Sequence, residues 1–374
     1  MIRPRISPRG LFALLAALWS VAIHAAGMGF DDARHLLLRT GFNPTEAEVQ
    51  AFAGLSRTQA VDRLLAEAEV AAHTPPPEWV DAPRLRLAGL KGLPVEERKA
   101  LLKREFQRGV ELRGWWYQEM LATPSPLTER MTLFWHNHFT SSQQKVKIAQ
   151  LMYRQNVLLR RNALGNFGAL LHAVAKDPAM LVWLDNSRSR KEAPNENFAR
   201  ELMELFTLGI GNYSEDDVKA AARAFTGWSI EIKEGAQVGD VDLADEMLQA
   251  DAEDLKEKKK NGELTEEEKA LIKEQRRTRD AEFVFRARWH DDGEKTILGQ
   301  TGNWNGEDIV RIIVEQPACA AFIARQLFSF FVWDAPDEET LAPFVDVFTT
   351  SGGDVRETIG AMLRSPEFSS DRAY

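Results

Sequence analysis

Two histidines in an aromatic segment are the first candidates for chemistry in this chain. His136 and His138 lie in residues 134–139, which read FWHNHF. Imidazole is a common metal ligand and the natural proton carrier near neutral pH. Side chains two positions apart on a helix point about 200° from one another, so both rings could share an ion only where a helix ends. Each histidine also has a structural interpretation, as a hydrogen-bonded ring on an aromatic face.

A helix rich in carboxylates carries the second set of candidates. Residues 195–209 read NENFARELMELFTLG, which predicts a helix that Asn195 caps and Gly209 ends. At about 100° per residue, Glu196, Arg200 and Glu204 fall along one ridge. Ordinary surface helices carry ion pairs at this four-residue spacing, so the ridge has a structural explanation too.

Glu201 lies at the boundary between that ridge and the apolar face of the same helix. The predicted apolar face holds Phe198, Leu202, Leu205 and Phe206. Burial raises the pKa of a carboxylate, and a partly buried carboxylate could bind a metal or act as a general base. Glu201, Glu204 and His136 are therefore the candidate catalytic groups.

A third imidazole, His290, stands beside Asp291 and Asp292 at the end of a predicted strand. Loops at such positions commonly carry function. The simpler interpretation is a turn, because the sequence Asp-Asp-Gly has turn-forming chemistry in any case.

The elements that must position these side chains are almost all helical. Apolar residues recur at helical spacing, so the predicted fold class is mainly α, one large multi-helical domain. The main predicted helices are 31–40, 45–69, 95–121, 126–139, 147–162, 167–176, 197–208, 215–225, 307–315, 318–331, 338–348 and 354–363. One small β-hairpin is expected near residues 283–298, and an exposed, charged helical hairpin is expected as an insertion at about 238–281.

The first 26 residues have the layout of a signal peptide. Arg3, Arg5 and Arg9 precede an apolar run at 11–23, and small residues follow at 25–27. We expect export to the periplasm or the extracellular space, with residues 27–374 as a single domain. A leader retained as an anchor is the alternative, and no later segment is expected to span a membrane.

Composition and missing motifs exclude several classes. A net charge of -9 argues against a nucleic-acid partner, because phosphate binding needs a basic surface. The lone Cys319 cannot form an internal disulfide, and its apolar surroundings favour a buried small side chain over a nucleophile. The chain lacks a Gly-x-Ser-x-Gly elbow, a Walker loop, a dinucleotide glycine motif and a His-Glu-x-x-His zinc helix.

Several segments together resemble a bacterial family, domain of unknown function 1800. They are HLLLRTGF at 35–42, FWHNHF at 134–139, the long block at 195–228, and the stretches at 283–292, 317–324 and 365–368. The resemblance implies an exported helical protein, often encoded beside a sulfatase-like exported protein, with no established reaction. Its family-like polar residues are His35, His136, His138, Asn195, Glu196, Asn197, Arg200, Glu201, Glu204 and His290. The charged insertion and the absence of paired arginines in the leader depart from it.

Two hypotheses follow. In the first, the protein is an exported metal-dependent hydrolase in which His138 (or His136), Glu201 and His290 bind a divalent metal while another carboxylate moves protons. In the second, it is a non-catalytic envelope protein for binding or assembly, whose partner is the sulfatase-like protein. The first requires ligand atoms within about 4 Å of one another.

Overall fold

The computed structural model describes residues 27–82, 92–234 and 279–374. The predicted leader and nearly all of the predicted charged insertion lie outside these residues. The described residues form a mainly helical fold with two small antiparallel sheets, which confirms the predicted fold class. None of the described helices is both long and apolar enough to cross a bilayer.

The first half of the chain contributes ten helices to the described residues. They are α1 Phe30–Thr40, α2 Glu46–Ala53, α3 Arg57–Ala66, α4 Val95–Ala122, α5 Pro126–His138, α6 Gln143–Val146, α7 Ala149–Arg161, α8 Phe167–Lys176, α9 Pro178–Trp183 and α10 Glu196–Glu204.

The second half adds α11 and then, after the strands, four further helices among the described residues. They are α11 Glu215–Ala224, α12 Gly306–Val314, α13 Pro317–Phe331, α14 Glu338–Thr350 and α15 Val355–Arg364.

The helix expected at 45–69 is two helices, because a second capping signal interrupts it. Thr45 and Glu48 form a capping box at the start of α2. Ser56 and Gln59 form another at the start of α3, just after α2 has ended at Ala53. Each box pairs free N–H groups at a helix start, so the backbone gains a new helix rather than continuing the old one.

The two sheets correct the expected hairpin at 283–298. Strand β1, Trp228–Glu234, pairs with β2, Arg279–Phe285, with Trp228 opposite Phe285. Strand β3, Lys295–Ile297, pairs with β4, Gln300–Gly302, and not with the strand at Phe283. The turn between β3 and β4 has positive φ at Leu298 (48°) and Gly299 (80°), the geometry that two-residue hairpins favour.

Aromatic rings fill the centre of the helical core. Trp135 is fully buried, with the rings of Phe134, Phe139 and Phe167 centred 4.7, 5.7 and 5.8 Å away. Its indole Nε1 donates to the Ala163 carbonyl at 2.9 Å, so the one polar atom of the ring is satisfied. Cys319 is fully buried too, and burial raises the pKa of its thiol to about 12, which excludes a thiolate nucleophile at neutral pH.

A buried ion pair joins three helices. The Glu129 carboxylate of α5 accepts from Nε and Nη2 of Arg160 on α7, the second bond at 3.0 Å. Nε1 of Trp116 on α4 donates to the same carboxylate at 3.0 Å. Both charged side chains are 1% exposed, so the two charges depend on each other for compensation.

We predict that Glu129→Gln lowers the free energy of unfolding by about 3–5 kcal/mol, because the Arg160 charge stays buried without a counter-charge. The measurement is urea unfolding followed by circular dichroism. Glu96→Gln is the matched control: it removes the exposed pair with Lys99 and should cost less than about 0.5 kcal/mol. Equal losses in the two variants would contradict the central role of the buried pair.

Candidate functional site

His138 is a core residue whose imidazole is held by the backbone. Its Nε2 bonds the Phe206 carbonyl at 2.9 Å, and aromatic rings, among them Phe139 at 4.7 Å, surround it. Burial lowers the pKa of His138 to about 4, although the carbonyl bond opposes that shift. The ring is therefore neutral at pH 7, and one of its nitrogens is already occupied.

His290 is likewise tied to a carbonyl. Its Nδ1 bonds the Thr226 carbonyl at 2.9 Å, and the ring packs against Phe285 at 5.2 Å. The next residue, Asp291, binds Arg223 through two hydrogen bonds of 2.7 and 3.0 Å, and the bond from Arg223 is the main reason that the pKa of Asp291 is lowered. The predicted turn is present, since the Gly293 N–H donates to Asp291 Oδ1 at 3.0 Å.

Sequence reasoning missed the role of that turn. The ammonium of Lys295, with a side chain 0% exposed, donates to the carbonyls of Asp291 at 2.6 Å and Gly293 at 2.8 Å. Burial lowers the pKa of Lys295, with Asp291 opposing that shift. The Asp-Asp-Gly segment thus wraps a buried lysine, and nothing in the sequence pattern distinguished Lys295 from an exposed one.

The carboxylate-rich helix is capped as predicted but paired differently. Asn195 Oδ1 accepts from the Asn197 N–H at 3.1 Å, while its Nδ2 donates to the Leu184 carbonyl at 2.8 Å. Arg200 makes its short contacts, 2.6 and 2.8 Å, with Glu215 of α11, and the expected partner Glu196 is 3.9 Å away.

The end of that helix corrects one predicted core residue. Phe198, Leu202 and Phe206 are buried, but Leu205 is 51% exposed. Leu205 keeps helical dihedrals as the C-cap residue, but the α-helix ends at Glu204, and the periodic pattern does not report how the end of a helix is covered.

Glu201 is half-buried, as expected for a boundary position. Burial raises the pKa of Glu201, and the neighbouring Glu204 adds to that rise. Glu204 itself accepts from the hydroxyl of Tyr213 at 2.6 Å. The two glutamates lie on α10. Neither lines the cavity, described below, whose wall includes His136.

The structure does not bring the predicted metal ligands together. Across residues 27–82, 92–234 and 279–374, no three His, Cys, Asp or Glu side chains are grouped so that they could hold one ion. The His138 ring bonds the Phe206 carbonyl and the His290 ring bonds the Thr226 carbonyl, so a different backbone group orients each ring. His35 is buried elsewhere, stacked on Tyr374 at 4.2 Å and packed against Phe368.

His136 has a different environment from the other histidines. It lines a cavity of about 240 Å³ between α4, α5, α6 and α7, and its ring meets Trp116 edge-on at 5.0 Å. Burial alone lowers the pKa of His136, so the imidazole is neutral at pH 7. No hydrogen bond between described residues reaches either ring nitrogen, which leaves one donor and one acceptor for an occupant.

Asn156 is the second distinctive residue of this cavity. Its side chain is 5% exposed, and neither Oδ1 nor Nδ2 has a hydrogen-bond partner among the described residues. The remaining wall combines apolar groups with polar ones, and its members are Gly109, Leu112, Arg113, Ser141, Ser142, Gln143, Gln144 and Met152. Asn156 carries no motif, and only the packing of α7 against α4 and α5 reveals it.

A larger groove of about 470 Å³ lies beside α1, α2 and α3. Part of its polar wall is already paired, since Glu48 accepts from Thr45 and Glu67 pairs with Arg63 at 2.8 Å.

The described residues thus define a mainly α-helical protein with a small cavity of mixed polar and apolar lining among its central helices. The family model described as "Protein of unknown function (DUF1800)" matches residues 35–373, and the chain belongs to that family. No curated protein and no solved structure matches the chain.

The low pKa of His138 predicts a specific pH dependence of stability. The folded protein protonates this ring near pH 4 and the unfolded chain near 6.5, so stabilisation is complete above 6.5 and is lost as the pH falls toward 4. At about 1.4 kcal/mol per pKa unit, the loss is on the order of 3 kcal/mol.

The measurement compares the unfolding free energy of the native protein with that of His138→Gln between pH 4 and pH 7. Gln retains a donor for the Phe206 carbonyl but does not titrate. The native protein should show the steeper loss toward acid, and parallel curves would refute the assignment. Other groups titrate in both proteins and cancel in the difference.

Proposed function

We propose that this protein is a non-catalytic binding protein whose ligand is a small neutral molecule with a carboxamide group, held in the cavity beside His136 and Asn156. The observation that carries the proposal is the buried amide of Asn156, which lines a cavity and has neither a donor nor an acceptor partner among the described residues.

An unpaired buried amide lowers the stability of the folded protein. Each polar group without a partner costs about 1–3 kcal/mol, and Asn156 has both a donor and an acceptor in that state. A carboxamide presents the complementary acceptor and donor side by side, so one ligand group could satisfy both atoms. The free energy lost on folding is then recovered on binding.

The rest of the cavity suits a neutral ligand with an apolar part. Leu112, Trp116 and Met152 supply apolar wall, and His136 is uncharged at pH 7. A 150 Å³ cavity holds benzene, so about 240 Å³ holds on the order of ten non-hydrogen atoms. Arg113 is the one charged residue of this wall, and it is exposed at the rim.

The metal-dependent hydrolase, the first hypothesis from the sequence, is less favoured than binding, because its three ligands are not grouped in the described part of the chain. Export and a sulfatase-like partner stay predictions, the first from the leader and the second from the family resemblance. A binding protein is compatible with both.

Benzamide is the probe for this proposal, since it joins a carboxamide to an apolar ring. At about 0.5 kcal/mol per non-hydrogen atom, its Kd should be near 1 mM. Isothermal titration calorimetry measures Kd, and saturation-transfer NMR reports the bound ring. Asn156→Leu should weaken binding at least tenfold while leaving the unliganded protein as stable as the native one, because it removes the unpaired amide.

Asn137→Leu, at an exposed position of α5, is the matched control and should bind benzamide normally. The proposal fails if benzamide does not bind saturably, or if Asn156→Leu binds as well as the native protein. Tighter binding of benzoate than of benzamide would also overturn it, because Arg113 would then be the recognition group.

A further inference from the structure

A buried hydrogen-bond chain runs from the cavity wall to an acid. Ser141, which lines the cavity, donates from Oγ to Oε1 of Gln155. Nε2 of Gln155 donates to Oδ2 of Asp177 at 2.7 Å, and the same oxygen accepts from the Met180 N–H at 3.0 Å. All three side chains are buried: Ser141 is 7% exposed, Gln155 1% and Asp177 4%.

The carboxylate of Asp177 fixes the donor-to-acceptor direction of this series of hydrogen bonds. An ionised carboxylate only accepts hydrogen bonds, so Gln155 must turn its NH₂ toward Asp177. Its carbonyl oxygen then faces Ser141, and the single hydroxyl hydrogen of Ser141 is committed to that oxygen. Toward the cavity, Ser141 can offer only its lone pairs.

We infer that Ser141, oriented by Gln155 and Asp177, makes the cavity select ligands that donate a hydrogen bond, so that primary carboxamides bind in preference to tertiary amides and ketones. This inference rests on the proposed function, because it names the ligand class of the same cavity. Asp177 does not touch the ligand, and it acts as a positioning residue through Gln155.

Protonation of Asp177 does not reverse the direction of these hydrogen bonds. Burial raises the pKa of Asp177 to about 7, against the hydrogen bonds of Met180 and Gln155 and the charge of Arg154 on α7. Two lysines on packed elements have other partners: Lys145 of α6 binds Asp185, and Lys176 of α8 binds Glu307.

A proton on Oδ1 of Asp177 leaves Oδ2 able to accept from both the Met180 N–H and Gln155 Nε2, so Gln155 keeps its orientation. Selection for donor ligands should therefore persist as the pH falls through about 7. The pKa of His136 lies below its usual 6.5, so its protonation comes later on the same acid titration.

Gln155→Leu is the decisive variant, because it removes the oxygen that accepts the Ser141 hydrogen. The Ser141 hydroxyl can then point its hydrogen into the cavity. Asp177→Asn is the matched control: one Asn oxygen in place of Oδ2 accepts from both the Met180 N–H and Gln155 Nε2, so the orientation of Gln155 and the ligand preference should not change. For Gln155→Leu the prediction is the opposite. The ratio of affinities for benzamide and N,N-dimethylbenzamide should fall about tenfold relative to the native protein, and the size difference between the probes cancels in that comparison.

Ser141→Ala is the background control, and in that background Gln155→Leu should leave the ratio unchanged. A ratio that Gln155→Leu does not alter in the native background overturns the inference. If neither probe binds the native protein, the proposed function fails.

A second readout needs no ligand. In the native protein, nuclear Overhauser contacts should join the Gln155 NH₂ to the Met180 N–H. Contacts that instead join the Gln155 NH₂ to the Ser141 methylene would overturn the inference even where no probe binds.

Discussion

The charge of Glu129 in the interior is the constraint on which the central helices depend. A carboxylate that is 1% exposed persists only where donors replace water, and Arg160 and Trp116 supply them from two other helices. The same three helices, together with α6, form the cavity. Trp116 itself forms part of its wall, His136 lies two turns after Glu129 on α5, and Asn156 lies one turn before Arg160 on α7. The pair that holds the helices together thereby fixes the residues of the candidate site.

Most of the polar residues predicted as site residues stabilise the architecture. His138 and His290 each bond a backbone carbonyl, Asn195 caps a helix, and Arg200 joins α10 to α11 through Glu215. Buried carbonyls need donors, and a neutral imidazole with one N–H supplies them without placing a charge in the core. His136 differs because no described residue pairs with its ring, so its hydrogen-bonding capacity is available to a ligand.

Two buried acids, Glu129 and Asp177, have different partners and therefore different roles. Glu129 faces a guanidinium, which compensates its charge directly. Asp177 is held mainly by hydrogen bonds from Gln155 and Met180, and burial raises its pKa to about 7. The first acid is suited to a permanent structural role. The pKa of Asp177 lies near neutral pH, and Asp177 is connected to the cavity wall through Gln155 and Ser141.

The sequence by itself determined the helical class, most helix positions, the Asn195 cap and the turn at Asp291, because periodicity, capping and turn chemistry act over a few residues. It also placed Phe198, Leu202 and Cys319 in the core. It could not determine that Lys295 pairs with β4 rather than with the strand at Phe283, nor that Arg200 selects Glu215 over Glu196. Only the tertiary structure decided that, of His136, His138 and His290, His136 is the one whose ring makes no hydrogen bond to a described residue, and it alone linked Asn156, Ser141 and Asp177 around one cavity. Those residues belong to different helices and connecting segments, and their contacts depend on packing, which no local pattern records.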